Sequence, residues 1–175
     1  ACLVGSEMCI RDRDYTEEYQ AYYHEEVIKQ IAKRPYLWAT HVWNMFDFGV
    51  PMWSRGGIPA RNLKGLITFD RKIKKDSYYW YKANWSKDPV LYLTQRRNID
   101  RERKHTSVTV YSNIGTPQVY LNGKELTGIR QGYTDVHYVL DDVTLEQGKN
   151  TIKTVATYNG KEYTDAVSYT HLRAH

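Results

Sequence analysis

Two hydrogen-bond donors stand two positions apart in the stretch RNLKG, residues 61–65. The amide of Asn62 and the ammonium of Lys64 could converge on one ligand. A carboxylate ligand would receive charge-assisted hydrogen bonds, which are stronger than neutral ones, and a hydroxyl-rich ligand could use the same donors. The alternative is a polar turn with an exposed lysine, because the stretch lies between a glycine-rich loop and a short apolar run.

More candidate side chains precede this stretch. The apolar run YLWATHVWNMFDF, residues 36–48, carries aromatic and polar residues near its end. The loop GVPMWSRGGIPARN follows, with fourteen residues, three glycines and two prolines. A loop of this length in a compact domain is commonly functional. The candidates from the run and the loop are Trp43, Asn44, Asp47, Trp53, Arg55 and Arg61.

An amphipathic helix is predicted over residues 14–34, because tyrosines and aliphatic residues recur there at three- and four-residue steps. Asp14, with Glu17 three positions on, is the predicted N-cap, and Lys33-Arg34-Pro35 is the predicted stop. A solvated helix face explains the paired carboxylates of this helix better than acid–base catalysis does. Those carboxylates are Glu17, Glu18, Glu25 and Glu26.

The elements that must position the candidates follow this helix. The run at 36–48 is apolar on both faces and predicts a buried strand of a parallel sheet. GLITFDRK, residues 65–72, predicts a short strand, and residues 74–85 predict a helix with Asp76 near its start. This order is typical of a βα barrel or an open α/β sheet, where function gathers in the loops after strand C-termini.

The chain changes character near residue 88. Short β runs about ten residues apart follow, and Asn-Gly occurs at 122–123 and at 159–160, which is the strongest short hairpin signal. We expect an immunoglobulin-like β-sandwich over residues 89–166. This domain could itself be a carbohydrate- or protein-binding module, and exposed aromatic residues on one sheet face would be its signature. Those candidates are Tyr111, Tyr120 and Tyr138, which the alternating pattern makes equally good core residues.

Charge and hydropathy limit the partners. The formal net charge is +5, and sixteen tyrosines and five tryptophans give an aromatic content of 14%. The charge-dense stretch QRRNIDRERKH, residues 95–105, alternates basic residues with Asp100 and Glu102, so a solvated loop is favoured over a nucleic-acid site. No apolar run approaches the roughly 20 residues of a membrane helix. We therefore expect neither a nucleic-acid nor a membrane partner, and aromatic-rich surfaces commonly meet sugars or proteins.

The two ends of the chain are related through DNA. If VGSEMCIRD, residues 4–12, is written as gtg ggc tcg gag atg tgt ata aga gac, the reverse complement translates as VSYTHLRAH, residues 167–175. The DNA resembles a sequencing-library transposon adapter, so residues 1–13 and 167–175 are interpreted as adapter-derived scars and left out of the expected fold. Cys2 and Cys9 lie in the first scar, which removes any disulfide, zinc or thiol argument. The cellular compartment stays open.

The strings THVWNMFDFG and RNLKGLITFDRKIKKDSYYWYKANW resemble the C-terminal end of the (β/α)8 catalytic barrel of glycoside hydrolase family 2, the β-galactosidase and β-glucuronidase family. The resemblance implies that residues 14–88 are the end of such a barrel, and that 89–166 match the extra sandwich domain of many bacterial members. It implies retaining hydrolysis by two glutamates. Both of these glutamates belong to earlier barrel strands, so no catalytic residue is expected here, and the chain alone should be inactive. No metal or cofactor is expected either.

The resemblance also implies roles for the candidates. Trp43 matches the family tryptophan that flanks the sugar, and Asn62 with Lys64 matches the Asn-x-Lys motif that binds the substrate carboxylate in β-glucuronidases. Galactosidase-like members often carry the motif too. The leading expectation is therefore a β-galactosidase-like exo-glycosidase, with a β-glucuronidase as the alternative. Supporting positions are expected for Asn44, Asp47, Trp53 and Arg61.

Overall fold

The computed structural model describes residues 16–54 and 58–172. The described chain is rich in β-strands and contains two helices. It divides into two compact units, one ending at Trp80 and the other beginning at Tyr81. The division therefore falls inside the second helix, whereas the sequence places the change of character near residue 88.

Two helices and two short strands make up the first unit. These are α1 (Glu17–Ala32), β1 (Phe48–Gly49), β2 (Arg61–Asn62) and the start of α2 (Asp76–Trp85). The predicted cap, Asp14, lies outside the described residues and is wrong, because α1 begins after Thr16. The Thr16 side chain accepts a hydrogen bond from the Tyr19 N–H (3.1 Å), and threonine is among the residues that cap helices in this way.

The buried parallel strand predicted at 36–48 is wrong. Only its end is extended into a ladder, where β1 pairs antiparallel with β2. Tyr36 is 76% exposed and Trp38 is 96% exposed. A strand that is apolar on both faces is buried only when neighbouring strands and helices cover it, and within the described residues no strand pairs with 37–43. The apolar pattern is therefore that of a buried strand, but the described residues do not supply the neighbouring strands and helices that would bury it.

The strand predicted at 65–72 is wrong except at one residue. Ile67 forms a parallel bridge with Phe46 and an antiparallel bridge with Lys74. Beyond it the chain turns, because the Thr68 hydroxyl donates to Asp70 Oδ1 (2.6 Å) and accepts from the Ile73 N–H (3.1 Å). Such local side-chain bonds compete with strand formation.

Two sheets form the second unit, residues 81–172, called the two-sheet unit below. The four-stranded sheet has the order β3-β5-β9-β8 and the five-stranded sheet has the order β4-β11-β10-β6-β7. The strands are β3 (Leu91–Leu93), β4 (Asp100–Arg101), β5 (His105–Ser112), β6 (Gln118–Leu121), β7 (Lys124–Leu126), β8 (Arg130–Gln131), β9 (His137–Thr144), β10 (Gly148–Tyr158) and β11 (Lys161–His171). Both sheets contribute to one core that includes Leu93, Val110, Ile152 and Tyr169.

The two Asn-Gly hairpins are confirmed. They join β6 to β7 and β10 to β11. Asn122 and Gly123 have φ values of 51° and 85°, and Asn159 and Gly160 have 51° and 73°. Positive φ at both central residues is the signature of the type I′ turn, whose twist matches that of paired strands.

The residues at 167–171 belong to the fold. The expectation that residues 167–175 lie outside it is therefore wrong for this part. They form the second half of β11 and pair with β10 down to Gly148. Val167 is 6% exposed and Tyr169 is 1% exposed, and both lie in the shared core. The sequence VSYTH alternates inward and outward positions and is rich in strand-forming residues, so it continues the ladder whatever the origin of its codons.

Two further expectations for the two-sheet unit change. Tyr111 is 0% exposed and Tyr138 is 9% exposed, so they are not the exposed aromatic surface that a binding module needs, and Tyr120 is only half-buried. The charge-dense stretch at 95–105 is not simply a solvated loop. Arg96 pairs with Asp165, and the Arg101 guanidinium lies 4.2 Å from the Tyr169 ring centroid.

Candidate functional site

Gly65 brings two chain segments of the first unit into close contact. The backbone N–H groups of residues 66 and 67 donate to the carbonyls of residues 44 and 45 at 2.9 and 3.0 Å, and the Asp47 N–H donates to the Ile67 carbonyl at 2.9 Å. A Cβ on Gly65 would lie 2.0 Å from the Asp47 nitrogen and 2.2 Å from the Phe46 carbonyl carbon. Only glycine permits this approach, so the last residue of RNLKG fixes the segment against the end of the apolar run.

Asp47 is the centre of the hydrogen bonding. Its side chain is only 3% exposed, and its Oδ1 accepts from the Gly65 N–H (2.8 Å) and from Lys75 Nζ (2.8 Å). Lys75 Nζ also donates to the Leu63 carbonyl (2.9 Å). Buried charges are found paired and hydrogen-bonded in this way. Asp47 is therefore a structural anchor of the loop, and its ammonium partner was missed by the sequence reasoning.

Asn62 and Lys64 are joined by an Asx turn. Asn62 is 7% exposed, and its Oδ1 accepts from the Lys64 N–H (3.0 Å). This Asx turn uses the amide oxygen and leaves the amide nitrogen, Nδ2, as a donor. Lys64 is exposed, and among the described residues no carboxylate lies within 4.0 Å of its ammonium. The pair thus offers two N–H donor groups, one of them charged, without an acceptor in the described chain.

Helix α1 holds the same loop from its other side. Gln20 Nε2 donates to the carbonyls of Lys64 (3.1 Å) and Gly65 (3.0 Å), and Gln20 Oε1 accepts from the Ser77 hydroxyl (3.2 Å) at the start of α2. Glu17 Oε1 accepts from the Asp76 N–H (2.6 Å), where a carboxylate suits the positive end of α2. The Lys64 backbone is therefore fixed, while the residue is exposed to solvent.

Trp43 lies beside Lys64 on the neighbouring segment. The Asn44 N–H donates to the Lys64 carbonyl (3.4 Å), and the Trp43–Asn44 peptide bond is cis. The Trp43 side chain is 70% exposed, and its ring meets the Phe48 ring edge-on at 6.0 Å. The Asn44 side chain turns back to accept from the Met45 N–H (2.7 Å). The Trp43 indole is thus exposed on the segment whose backbone bonds to that of Lys64, and the Asn44 side chain is bonded to the adjacent backbone.

The remaining loop candidates have separate places. The Arg61 guanidinium lies 4.4 Å from the Phe69 ring centroid. This distance is that of a cation–π contact, so the Arg61 charge interacts with the Phe69 ring. The Trp53 carbonyl accepts from the Ala60 N–H (2.7 Å). Arg55 lies outside the described residues.

Within residues 16–54 and 58–172, no group of three or more histidine, cysteine, aspartate or glutamate side chains lies close enough to hold a metal ion. No helix there is sufficiently long and apolar to cross a bilayer.

The homologues of this chain are glycoside hydrolases of the β-glucuronidase and β-galactosidase type. No family model matches the sequence. A β-glucuronidase from Bacteroides fragilis is 40% identical over 155 residues, which are 88% of this chain and 22% of the relative.

Two solved structures match closely in three dimensions. A putative β-galactosidase from B. fragilis superposes with a TM-score of 0.90 and 62% identity over 97% of this chain and 25% of its own. An FMN-binding β-glucuronidase from F. prausnitzii L2-6 superposes with a TM-score of 0.78 and 43% identity over 90% of this chain and 23% of its own. The chain thus spans about a quarter of the length of these relatives.

Proposed function

We propose that this chain is part of a family 2 glycoside hydrolase, with residues 14–88 forming the end of a (β/α)8 barrel and the two sheets that follow, β3 to β11, forming an immunoglobulin-like sandwich. The parallel bridge between Phe46 and Ile67, with a helix on either side in sequence, supports the barrel part. Two mainly antiparallel sheets around one core support the sandwich. The names of the relatives point to the same class of enzyme.

The activity we propose is the exo-acting hydrolysis of β-glucuronides. The observation that carries this proposal is the Lys64 ammonium, which is exposed and has no carboxylate within 4.0 Å in the described chain, two positions after Asn62, whose side-chain oxygen accepts from the Lys64 backbone N–H. A uronic acid carboxylate would accept from both groups, and charge-assisted bonds of this kind are roughly twice as strong as neutral ones. A neutral sugar would leave the ammonium with hydroxyl partners only.

The exposed Trp43 ring supplies the apolar side of the proposed pocket. A sugar ring packs its C–H face on an indole, while its hydroxyls turn to polar neighbours. Hydrolysis itself would follow the retaining route: one glutamate protonates the leaving oxygen, a second forms the glycosyl-enzyme, and water then releases the sugar. This chain supplies binding groups to that reaction, and we expect the 175-residue chain by itself not to hydrolyse glycosides.

A β-galactosidase is the second candidate. It is favoured by the 62% identity to a protein named as a putative β-galactosidase. In that case Asn62 and Lys64 would donate to sugar hydroxyls. An independent role of the two-sheet unit as a binding module is not proposed, because Tyr111 and Tyr138 are buried.

A chimera tests the proposed activity. Residues 16–172 replace the matching quarter of the B. fragilis protein that shares 62% identity, so that the recipient supplies the rest of the active site. We expect a p-nitrophenyl β-glucuronide to be hydrolysed with kcat/KM at least about tenfold above that of the β-galactoside, since one retained charged contact is worth about 1.4 kcal/mol or more. Trp43→Ala should lower kcat/KM for both substrates.

The opposite preference in the chimera would support the galactosidase instead. A folded chimera that hydrolyses neither substrate, beside an active recipient, would contradict the proposed glycosidase function altogether.

A further inference from the structure

We propose that Lys75 is a positioning residue for sugar recognition, which holds the Asn62–Lys64 donor pair in place through a buried bridge. This inference rests on the proposed function. Lys75 lies at the residue before α2, eleven positions after Lys64, and only 11% of its side chain is exposed. It does not face the proposed sugar, and we assign it no contact with substrate.

The bridge joins three parts of the site. Lys75 Nζ donates to Asp47 Oδ1 (2.8 Å) on the segment that carries Trp43, and to the Leu63 carbonyl (2.9 Å) between the two donor residues. The same Asp47 oxygen accepts from the Gly65 N–H (2.8 Å). Residues 63 and 65, on either side of Lys64, are therefore tied to one buried ion pair.

The geometry leaves little freedom at the donor pair. A buried ion pair with further hydrogen bonds is held in one arrangement, and removal of one partner leaves the other charge uncompensated. In Lys75→Met, Asp47 would lose its counter-charge and Leu63 its donor, so the loop would have to move towards water. A ligand clamp that is misplaced by about 1 Å can lose a large part of its effect.

Lys74 offers a matched control. It is the adjacent lysine, it is exposed, and its Nζ lies 5.0 Å from the Tyr78 ring centroid rather than against the loop. Lys74→Met therefore removes the same charge and introduces the same side chain one position away from the bridge.

The first test uses the 175-residue chain and needs no catalysis. Hydrogen exchange of the Gly65 amide should be at least about tenfold faster in Lys75→Met than in Lys74→Met or in the unchanged chain, because opening of the loop exposes this amide. The amides of β10, in the two-sheet unit, serve as the internal reference and should exchange at unchanged rates. Unchanged exchange at Gly65, or equal acceleration in β10, would overturn the positioning role.

The second test is a double-mutant cycle in the chimera. If Lys75 acts through Lys64, Lys75→Met should raise the KM for the glucuronide by about tenfold in the Lys64 background, and by less than about twofold in Lys64→Ala, because coupled residues are not additive. The kcat should change less than the KM. An equal KM effect in both backgrounds would show that Lys75 does not act through Lys64.

Failure of the proposed function gives a different pattern. In that case Lys64→Ala alone would leave the kinetics of the chimera unchanged, while Lys75→Met would still accelerate exchange at Gly65. Lys75 would then position the loop but have no role in sugar recognition.

Discussion

The substitution Gly65→Ala adds one methyl group at the closest backbone contact of the site. The new Cβ would lie 2.0 Å from the Asp47 nitrogen, 2.2 Å from the Phe46 carbonyl carbon and 2.7 Å from Asp47 Oδ1. All three atoms belong to the facing segment, and two of them are backbone atoms that cannot rotate away. The two segments must therefore separate.

The magnitude follows from the hydrogen bonds that separation breaks. Reaching an ordinary carbon contact requires a shift of about 1.4 Å, which stretches bonds of 2.8 to 3.0 Å beyond hydrogen-bonding range. Three backbone bonds at about 1 kcal/mol each and one bond to the Asp47 carboxylate at about 2 kcal/mol are at risk. With partial relaxation, we expect a loss of about 4 kcal/mol in the local free energy of opening.

Native-state hydrogen exchange measures this loss at the amides of Asp47, Leu66 and Ile67, which donate across the contact. Gly49→Ala is the control, because the nearest atom to its Cβ is the Ala60 carbonyl oxygen at 4.0 Å. Its effect should stay within about 1 kcal/mol. If these amides keep equal protection from exchange in Gly65→Ala and in Gly49→Ala, the close approach of the two segments is not what holds the loop.

Three further outcomes are expected in the two-sheet unit. Burial lowers the pKa of His137 to about 4, with a smaller contribution from Arg130. About 3 kcal/mol of unfolding free energy should therefore be present above pH 6.5 and be lost as the pH falls towards 4. Urea unfolding at pH 7 and at pH 4.5 should show this loss in the unchanged chain and not in His137→Gln. Asn122→Ala should destabilise the unit by about 1–2 kcal/mol more than Asn159→Ala, because the Asn122 amide bonds three neighbours; equal thermal midpoints would contradict this. A chain ending at residue 166 loses two core side chains of the last strand and should give no cooperative unfolding transition, whereas one ending at residue 172 should keep it.

Local chemistry made part of the fold predictable. Each Asn-Gly pair determines its own hairpin, because the left-handed backbone conformation it accepts is needed within two residues. The α2 start was likewise marked locally by Asp76. The strand predicted at 36–48 does not form as a buried strand, because its apolar pattern depends on neighbours that a sequence does not identify.

The candidate site divides in the same way. Asn62, Lys64 and Trp43 stand out by residue type and are brought onto adjacent segments by the fold. Lys75 carries no such signal, since its partner Asp47 is 28 positions away and a lysine before a helix is usually exposed. Burial and a long-range pairing determine its role, and neither can be predicted from spacing alone.

The measurement closest to the central claim is the substrate preference of Lys64→Ala in the chimera, compared with Lys72→Ala at an exposed lysine of the following turn. If Lys64 binds a substrate carboxylate, its loss should lower kcat/KM for the glucuronide by about 10- to 100-fold and leave the galactoside within about threefold. Lys72→Ala should change neither. An equal loss on both substrates, or no loss on either, would contradict recognition of a carboxylate by Lys64.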